Sequence, residues 1–282
     1  MSFGISNAYW KIAAKNDDYA RIVFFRGSIT VGFIGLIWLG IHFFFPDQNL
    51  LIHTENVTIT DFLLLLLLCF ISSLGLVFYL LSLKYAPVSV SVPLSSVNIF
   101  KIVTAVFFLG EIFHFIYFIS FLLAGIGIWL IRAAGLQTVR GWNKGAVYAL
   151  LSSLFWGITY ALFKLPAKAF GAVPLSFILE SCVVITAFIW HQITAGQKQP
   201  LFSISSLQIK HYFVLALLLL GGTLFYNLAI QLIDVLYLNI IGNSTLIISV
   251  GLGIWWHQEK LSLQQFIGLL LILLSVLLVQ FK

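Results

Sequence analysis

The stretch that decides the fold is residues 61–84, DFLLLLLLCFISSLGLVFYLLSLK. Its two charged residues, Asp61 and Lys84, stand at its ends, and all the residues between them are uncharged. At about 1.5 Å per residue, an α-helix of this length is about 36 Å long, which exceeds the roughly 30 Å hydrocarbon core of a bilayer. The stretch therefore predicts a transmembrane helix.

The composition of the whole chain agrees with this local signal. The 282 residues are 61% hydrophobic and 9% charged, with a mean hydropathy of +1.07, whereas soluble domains average roughly 45–50% apolar and about 25% charged residues. No alternating ten-residue strands occur, so a helical bundle must satisfy the backbone in lipid. The net charge of +6 comes from basic residues scattered between apolar runs. This pattern argues against a nucleic-acid partner and fits membrane orientation.

Eight further apolar runs are long enough to cross a membrane. They are residues 21–45, 88–110, 112–132, 145–165, 173–194, 211–232, 235–256 and 262–281. Residues 1–14 are apolar as well, but as a helix they would reach only about 21 Å, too short to cross. We therefore expect about ten transmembrane helices with a truncated first one: either its first turns are missing from this chain or it enters the membrane only partway.

A first internal repeat is a Phe-Tyr pair, which occurs at residues 78–79 and again at residues 225–226. Each pair precedes a glutamate at the end of an apolar run. Glu111 follows the first phenylalanine by 33 residues, and Glu259 follows the second by 34 residues. Such near-equal spacings indicate that the two stretches are related.

A second repeat is a glycine and a lysine seven residues apart, at residues 4–11 and residues 157–164. The two repeats divide the chain into halves of about five helices each, residues 1–135 and residues 141–282. An odd number of spans per repeat turns the second copy upside down relative to the first. We expect an all-α membrane protein built of two inverted five-helix repeats, an architecture typical of carriers.

These residues resemble a known family. The Gly-x6-Lys motif at residues 4–11, Arg26 early in the second helix, Leu-Gly-Glu at residues 109–111 and the ten-helix length are similar to the EamA-type branch of the drug/metabolite transporter superfamily. The resemblance implies that helices 1–4 and 6–9 line a central cavity while helices 5 and 10 lie at the periphery. It also implies a carrier in the cell (plasma) membrane, since members carry amino acids, nucleotide-related compounds, sugars or drugs. The family usually has a proline where this chain has Asn98.

Three charged residues inside the predicted spans are candidates for the site: Lys101, Glu180 and Arg26. A charge near the middle of a span, as at Lys101, costs at least about 2.5–3.5 kcal/mol to insert, so it normally faces a cavity or a partner. We hypothesise that Lys101 pairs with Glu180 when the cavity is empty and binds an anionic or zwitterionic solute when it is occupied. A purely structural ion pair is the alternative.

Glu180 and Arg26 occupy matching places in the two repeats, so inversion predicts that they lie near opposite faces of the membrane. Glu180 is a candidate for proton coupling, since burial favours an uncharged carboxyl group. For Arg26, the expected role is stabilisation near the helix start, where its long side chain can snorkel to the interface.

The uncharged candidates are Asn98 and Asn243, as hydrogen-bond donors to a solute, and Tyr79, Tyr226 and Trp156, as cavity-lining rings. Polar side chains also join helices, and membrane aromatics also pack or anchor at the interface, so both interpretations stay open. The six histidines are not grouped as ligands, so neither a metal nor a cofactor is expected.

The sequence favours a carrier over other classes of protein. Residues 257–260 do not form a His-Glu-x-x-His motif and no Gly-x-Ser-x-Gly elbow occurs, so an enzyme is not expected. No re-entrant filter or ring of charge indicates a channel. We expect a carrier that exports or imports a small metabolite, such as an amino acid or an organic anion, by alternating access. Translocation of a lipid or lipid-linked substrate is the alternative.

Orientation in the membrane stays open. The loops after the odd-numbered predicted helices hold ten of the fifteen Lys and Arg residues, and the other side holds three. The positive-inside rule therefore places the odd-numbered loops in the cytoplasm. The family resemblance implies the reverse, with both termini inside.

Overall fold

The computed structural model of the protein describes residues 2–15, 17–44, 51–52, 57–96, 99–110, 115–135, 144–194, 201–202 and 205–278. Over these ranges the chain forms twelve α-helices and no β-strand. The helices are α1 (Ser2–Ala13), α2 (Tyr19–Phe44), α3 (Ile59–Tyr85), α4 (Val88–Ser95), α5 (Ile99–Leu109), α6 (Phe115–Gly135), α7 (Lys144–Leu162), α8 (Lys164–Phe170), α9 (Ala172–Thr194), α10 (Ser206–Leu232), α11 (Val235–His257) and α12 (Leu263–Leu278).

Local sequence explains where the two longest helices begin. The Thr58 side chain accepts a hydrogen bond from the backbone N–H of Asp61, and the Asp61 carboxylate accepts one from the backbone N–H of Thr58. Ser205 and Gln208 form the same arrangement before α10. Each capping box satisfies backbone donors that the helix itself leaves without a partner, and each starts a helix of 27 residues.

Six segments of the described chain are long and apolar enough to cross a membrane. They are Tyr19–Phe44, Ile59–Tyr85, Val88–Leu109, Lys144–Leu162, Ala172–Thr194 and Ser206–Leu232, and shorter apolar helices lie in α6, α11 and α12. Each of the six coincides with a span predicted from the sequence, and the all-α, multi-pass membrane fold is confirmed. The 12 residues of α1 reach only about 18 Å, which is less than the core of a bilayer.

The span Val88–Leu109 contains a proline within its first helix. Pro93 lies inside α4, and because proline has no backbone N–H, the carbonyl of Ser89 loses its helical partner. α4 ends at Ser95, and α5 begins at Ile99. Asn98, which stands where the family has its proline, lies outside the described residues.

The described helices of the first half pack against those of the second half in matched pairs. α2 packs against α9, and α6 packs against α12. In the first half, α3 and α5 both pack against α7 of the second half. In the same way, α10 and α11 of the second half both pack against α1 of the first half. Large buried side chains of the resulting core include Trp10, Tyr79 and Tyr212.

The α6–α12 pair forms the edge of the bundle. Ser120 donates a hydrogen bond to the backbone carbonyl of Ser275, and a Cβ atom on Gly127 would lie 2.6 Å from the backbone oxygen of Gly268. Small residues thus let the two backbones approach closely, as is common between helices in lipid. Large apolar side chains such as Trp129 are exposed on the outside of the pair. This packing agrees with the peripheral position that the family resemblance implies for helices 5 and 10.

Candidate functional site

A buried ion pair joins α2 to α9. The Nη1 atom of Arg26 lies 2.5 Å from the Oε2 atom of Glu180, and the two side chains are only 2% and 5% exposed. The other carboxylate oxygen of Glu180 accepts a hydrogen bond of 3.5 Å from the hydroxyl of Thr223 on α10. The Arg26 guanidinium also lies 5.6 Å from the centre of the Trp10 ring on α1. Both charges are thus partnered in the low-dielectric interior, where a lone charge is costly.

This ion pair corrects the predictions for Arg26 and Glu180. The partner of Glu180 is Arg26 rather than Lys101, the two residues do not lie at opposite faces, and Arg26 does not snorkel. Arg26 comes seven residues after the start of α2, and Glu180 comes eight residues after the start of α9. Each therefore lies about 10–12 Å from its own end of the bundle, which leaves under about 10 Å of depth between them. Two long side chains bridge this depth because α2 and α9 pack directly against each other.

Lys101 lies on α5, over the aromatic ring of Tyr160 on α7. Its Nζ atom is 5.4 Å from the ring centre, within the range of a cation–π contact. It has no acidic partner among the residues that the structure describes. The residue is only half-buried. That a solute binds at this residue stays a prediction.

Four aromatic side chains on α3, α7 and α10 form a row beside Lys101. The ring centres of Tyr79 and Trp156 are 5.3 Å apart, those of Trp156 and Tyr160 are 5.8 Å apart, and those of Tyr160 and Tyr226 are 5.3 Å apart. We call Tyr79, Trp156, Tyr160 and Tyr226 the aromatic row. The structure thus brings three of the predicted rings together next to Lys101.

Tyr160 is the residue that sequence reasoning missed, although it connects Lys101 to the rest of the aromatic row. It stands four residues after Trp156, a spacing that puts two side chains on the same face of a helix. It also lies within the repeated motif at residues 157–164. Helical spacing from a predicted ring was therefore the signal that could have found it.

Gly157 sets how closely α5 approaches α7. A Cβ atom on Gly157 would lie 2.4 Å from the Cβ atom of Phe100 and 3.2 Å from the backbone nitrogen of Lys101. Gly4 has the corresponding contact in the other half, where a Cβ atom would lie 2.9 Å from the Cβ atom of Ile248 on α11. The glycine of the Gly-x6-Lys motif is therefore a helix contact. In α7 this contact brings the start of α5, and with it Lys101, against the aromatic row.

The two predicted asparagines stay a prediction. Asn98 lies outside the described residues, and nothing is described of the side chain of Asn243. Asn227 on α10 is buried and donates a hydrogen bond of 2.8 Å to the hydroxyl of Ser176 on α9. This contact joins two helices, which is a common role of polar side chains in membranes.

The lysines of the two Gly-x6-Lys motifs form ion pairs at the ends of the helices. Lys11 of α1 lies 3.3 Å from Glu259, which follows α11, with the two side chains 25% and 10% exposed. Lys164 of α8 lies 3.1 Å from Asp234, which precedes α11. The two lysines therefore contact acids near opposite ends of the same helix. Each ion pair joins α11 to a different half of the chain.

The arrangement can bind a solute. It offers one ammonium group beside several aromatic rings. Among the described residues, no group of three or more His, Cys, Asp or Glu residues could hold a metal ion. The chemistry available at Lys101 is therefore electrostatic attraction together with packing against rings.

Comparison with known proteins gives the family and the fold. Residues 143–281 match the model of the EamA-like transporter family. No curated protein matches the chain. Twenty-seven chains of solved structures match it. One of them, titled "Crystal structure of protein", has a TM-score of 0.61 at 15% sequence identity and covers 98% of this chain and 94% of that chain. At this identity the likeness shows the fold alone.

Proposed function

Because the chain belongs to the EamA-like transporter family, we propose that it carries a small metabolite across the cell membrane by alternating access. Residues 1–135 and residues 141–282 act as two inverted repeats. They rock against each other around a central site and open it to one side of the membrane and then to the other. No bond is made or broken in this cycle, so the protein is not an enzyme in this proposal.

The observation that carries the proposal is the matched packing of the two halves. The contact of Gly157 with Phe100 has its counterpart in the contact of Gly4 with Ile248, and the helix pairs α3–α7 and α10–α1 correspond in the same way. Because the two halves are alike and inverted, the protein can adopt two equivalent conformations. One conformation is open at one face of the membrane, and the other is open at the opposite face. Alternating access needs this property.

The Arg26–Glu180 ion pair lies at the pivot of the proposed motion. α2 and α9 are equivalent helices of the two repeats and pack against each other, so contacts between them change least when the halves rock. The ion pairs Lys11–Glu259 and Lys164–Asp234 lie at the helix ends, where the displacement is largest. In the proposed cycle, the ion pairs at the ends break and form while α2 and α9 stay packed around the central one.

Glu180 is the residue through which a proton gradient would act. Of the acids that the structure describes, it lies deepest within the spanning helices, and its two carboxylate oxygens are held by Arg26 and Thr223. Protonation would remove the charge that Arg26 pairs with. Coupling of this kind would make transport depend on the direction of a pH gradient.

Transport by the purified protein in liposomes tests the proposal. Protein-containing and protein-free liposomes are given a mixed pool of labelled amino acids, nucleotides, sugars and organic anions, with and without a pH gradient. The expected result is saturable movement of one class of solute that requires the protein. If the reconstituted protein moves no soluble compound in either direction, the carrier proposal is wrong.

Translocation of a lipid or lipid-linked substrate is the second candidate, and one surface feature favours it. A groove of about 470 Å³ between α2 and α9 is lined by Gly35, Trp38, Leu39, His42 and Phe177. Its largely apolar wall suits an acyl chain. Movement of a labelled lipid between leaflets, without movement of any soluble solute, would favour this candidate.

A further inference from the structure

The interior of the bundle holds one positive charge that no described acid neutralises. Arg26 and Glu180 pair with each other, whereas the Lys101 ammonium group lies over the ring of Tyr160 and has no acidic partner among the described residues. The sequence has nine Asp and Glu residues. Among the acids that the structure describes, those other than Glu180 lie between helices or within the first turn of one: Asp17, Asp18, Asp61, Asp234 and Glu259. The remaining three, Asp47, Glu55 and Glu111, lie outside the described residues.

We propose that the solute bound at Lys101 is an organic anion with a flat ring, of the class of aromatic carboxylates and sulfonates. As a statement about what is transported, this inference rests on the proposed carrier function. As a statement about what binds, it rests on the charge and the rings alone. The anionic group lies at the Nζ atom of Lys101, and the ring lies against the aromatic row.

The anionic group follows from the charge balance. A lone ammonium group inside a bilayer-spanning bundle is costly, and a bound anion removes that cost. A zwitterion such as an amino acid would bring its own ammonium group into the same space. The one interior carboxylate among the described residues, that of Glu180, is held by Arg26 and Thr223, so that second ammonium group would find no free acid among them. The site therefore favours an anion over a zwitterion and excludes a cation.

The flat ring of the proposed solute is inferred from the ring faces of the aromatic row. The indole N–H of Trp156 donates a hydrogen bond of 3.1 Å to a backbone carbonyl of α3, and the hydroxyl of Tyr226 donates one of 3.3 Å to the backbone carbonyl of Tyr160. With these polar groups satisfied, the rings offer their faces. Trp156, Tyr160 and Tyr226 are all only half-buried, and aromatic faces pack well against a flat ring.

Binding of four small compounds to the protein in lipid nanodiscs tests the inference. Naphthalene sulfonate has the anionic group and the ring, hexane sulfonate has only the anionic group, naphthylmethylammonium has only the ring, and tryptophan is the aromatic zwitterion. Sulfonates stay charged at all working pH values, so they do not leak through lipid as neutral acids. We expect naphthalene sulfonate to bind most tightly and naphthylmethylammonium not to bind.

Substitutions at two lysines identify the site. Lys101→Met should weaken binding of naphthalene sulfonate about tenfold to a hundredfold, the range expected for loss of a charge-assisted contact, while Lys101→Arg should retain most of it. Lys210→Met is the matched control, because Lys210 is exposed at the start of α10 and carries the same charge. Tyr160→Leu should weaken naphthalene sulfonate more than hexane sulfonate.

The outcomes separate this inference from the carrier proposal. Lys101-dependent binding of naphthalene sulfonate without transport in liposomes would support the anion site and contradict the carrier. Transport of tryptophan or of the cation in preference to naphthalene sulfonate would support the carrier and overturn the anion site. Equal affinity for naphthalene sulfonate in folded Lys101→Met and native protein would also overturn it, as would no binding of either sulfonate.

Discussion

Glu259, which follows α11, accepts a hydrogen bond of 2.9 Å from the backbone N–H of Ser89 in the first turn of α4. Its other carboxylate oxygen accepts one of 2.8 Å from the backbone N–H of Val88 and lies 3.3 Å from the Nζ atom of Lys11. The first N–H groups of a helix have no partner within it and carry partial positive charge, so a carboxylate stabilises them. A residue of the second half therefore caps a helix of the first half.

The first prediction concerns the pH dependence of this cap. Burial by itself would raise the pKa of Glu259, but the hydrogen bonds from Ser89 and Val88 and the charge of Lys11 together hold it below its usual value. A carboxyl group whose pKa is lowered by folding stabilises the protein above the pKa of the unfolded state and loses this effect as the pH falls through the lower, folded value.

Glu259→Gln should therefore lower the free energy of unfolding by roughly 1–2 kcal/mol at neutral pH. The difference from native protein should stay constant down to about pH 5 and shrink below about pH 4, where Glu259 itself takes up a proton. Thermal unfolding in detergent as a function of pH measures this. A difference that grows as the pH falls would contradict the assignment.

The second prediction concerns a reversible disulfide cross-link between α4 and α11. A Cβ atom on Gly253 would lie 3.3 Å from the Cβ atom of Val88, close to the roughly 3.5–4.5 Å that a disulfide requires. The two helices belong to opposite halves and meet here at one end of the bundle. Oxidised Val88→Cys/Gly253→Cys protein should therefore bind solute but not transport it, and a reducing agent should restore transport.

This disulfide cross-link has to be made in a protein from which the two native thiols have been removed. Cys69 and Cys182 are free cysteines, so Cys69→Ala and Cys182→Ala are introduced first. Each single cysteine variant, treated with the same oxidant, is the matched control and should transport normally. Full transport by the quantitatively cross-linked protein would mean that α4 and α11 need not separate at this end.

The third prediction concerns the Arg26–Glu180 ion pair. Arg26→Met leaves a carboxylate buried without its partner, and Glu180→Leu leaves a guanidinium in the same position, so each should lower the free energy of unfolding by about 3–5 kcal/mol. The double variant should recover most of this loss, because an apolar pair is often as stable as a buried ion pair. Thermal unfolding of the four proteins gives the interaction energy. Additive losses would show that the two residues act independently.

Transport by the double variant distinguishes a stabilising role of the ion pair from a role in proton coupling. If the ion pair serves only to stabilise the bundle, the double variant should transport a solute at the native rate. If Glu180 carries the coupling proton, the double variant should still move the solute down its own gradient but no longer respond to a pH gradient. Loss of both kinds of transport in a folded double variant would indicate that the pair contacts the solute.

Long apolar runs made the helices predictable, whereas the partners of the charged residues were not. The run at residues 61–84 fixes α3 because its length and composition leave no other structure in lipid. The partner of Glu180 depends on depth and tilt, and a shift of a few ångströms decides between Arg26 and Lys101. One sequence does not contain that information. The contact of Gly157 with α5 was also hidden, since a repeated glycine does not name the helix that it touches.

The last prediction uses this glycine contact. Gly157→Ala places a methyl group where a Cβ atom would be 2.4 Å from Phe100, so α5 must move away from α7, at a cost of about 1–3 kcal/mol. Gly4→Ala should cost a similar amount at Ile248 without moving Lys101. Gly32→Ala has nothing within 4 Å and should be neutral or slightly stabilising, since alanine favours helices by about 1 kcal/mol over glycine. Naphthalene sulfonate binding should therefore fall in Gly157→Ala and persist in the other two variants. Equal loss in Gly4→Ala would mean that general packing, and not the position of Lys101, controls binding.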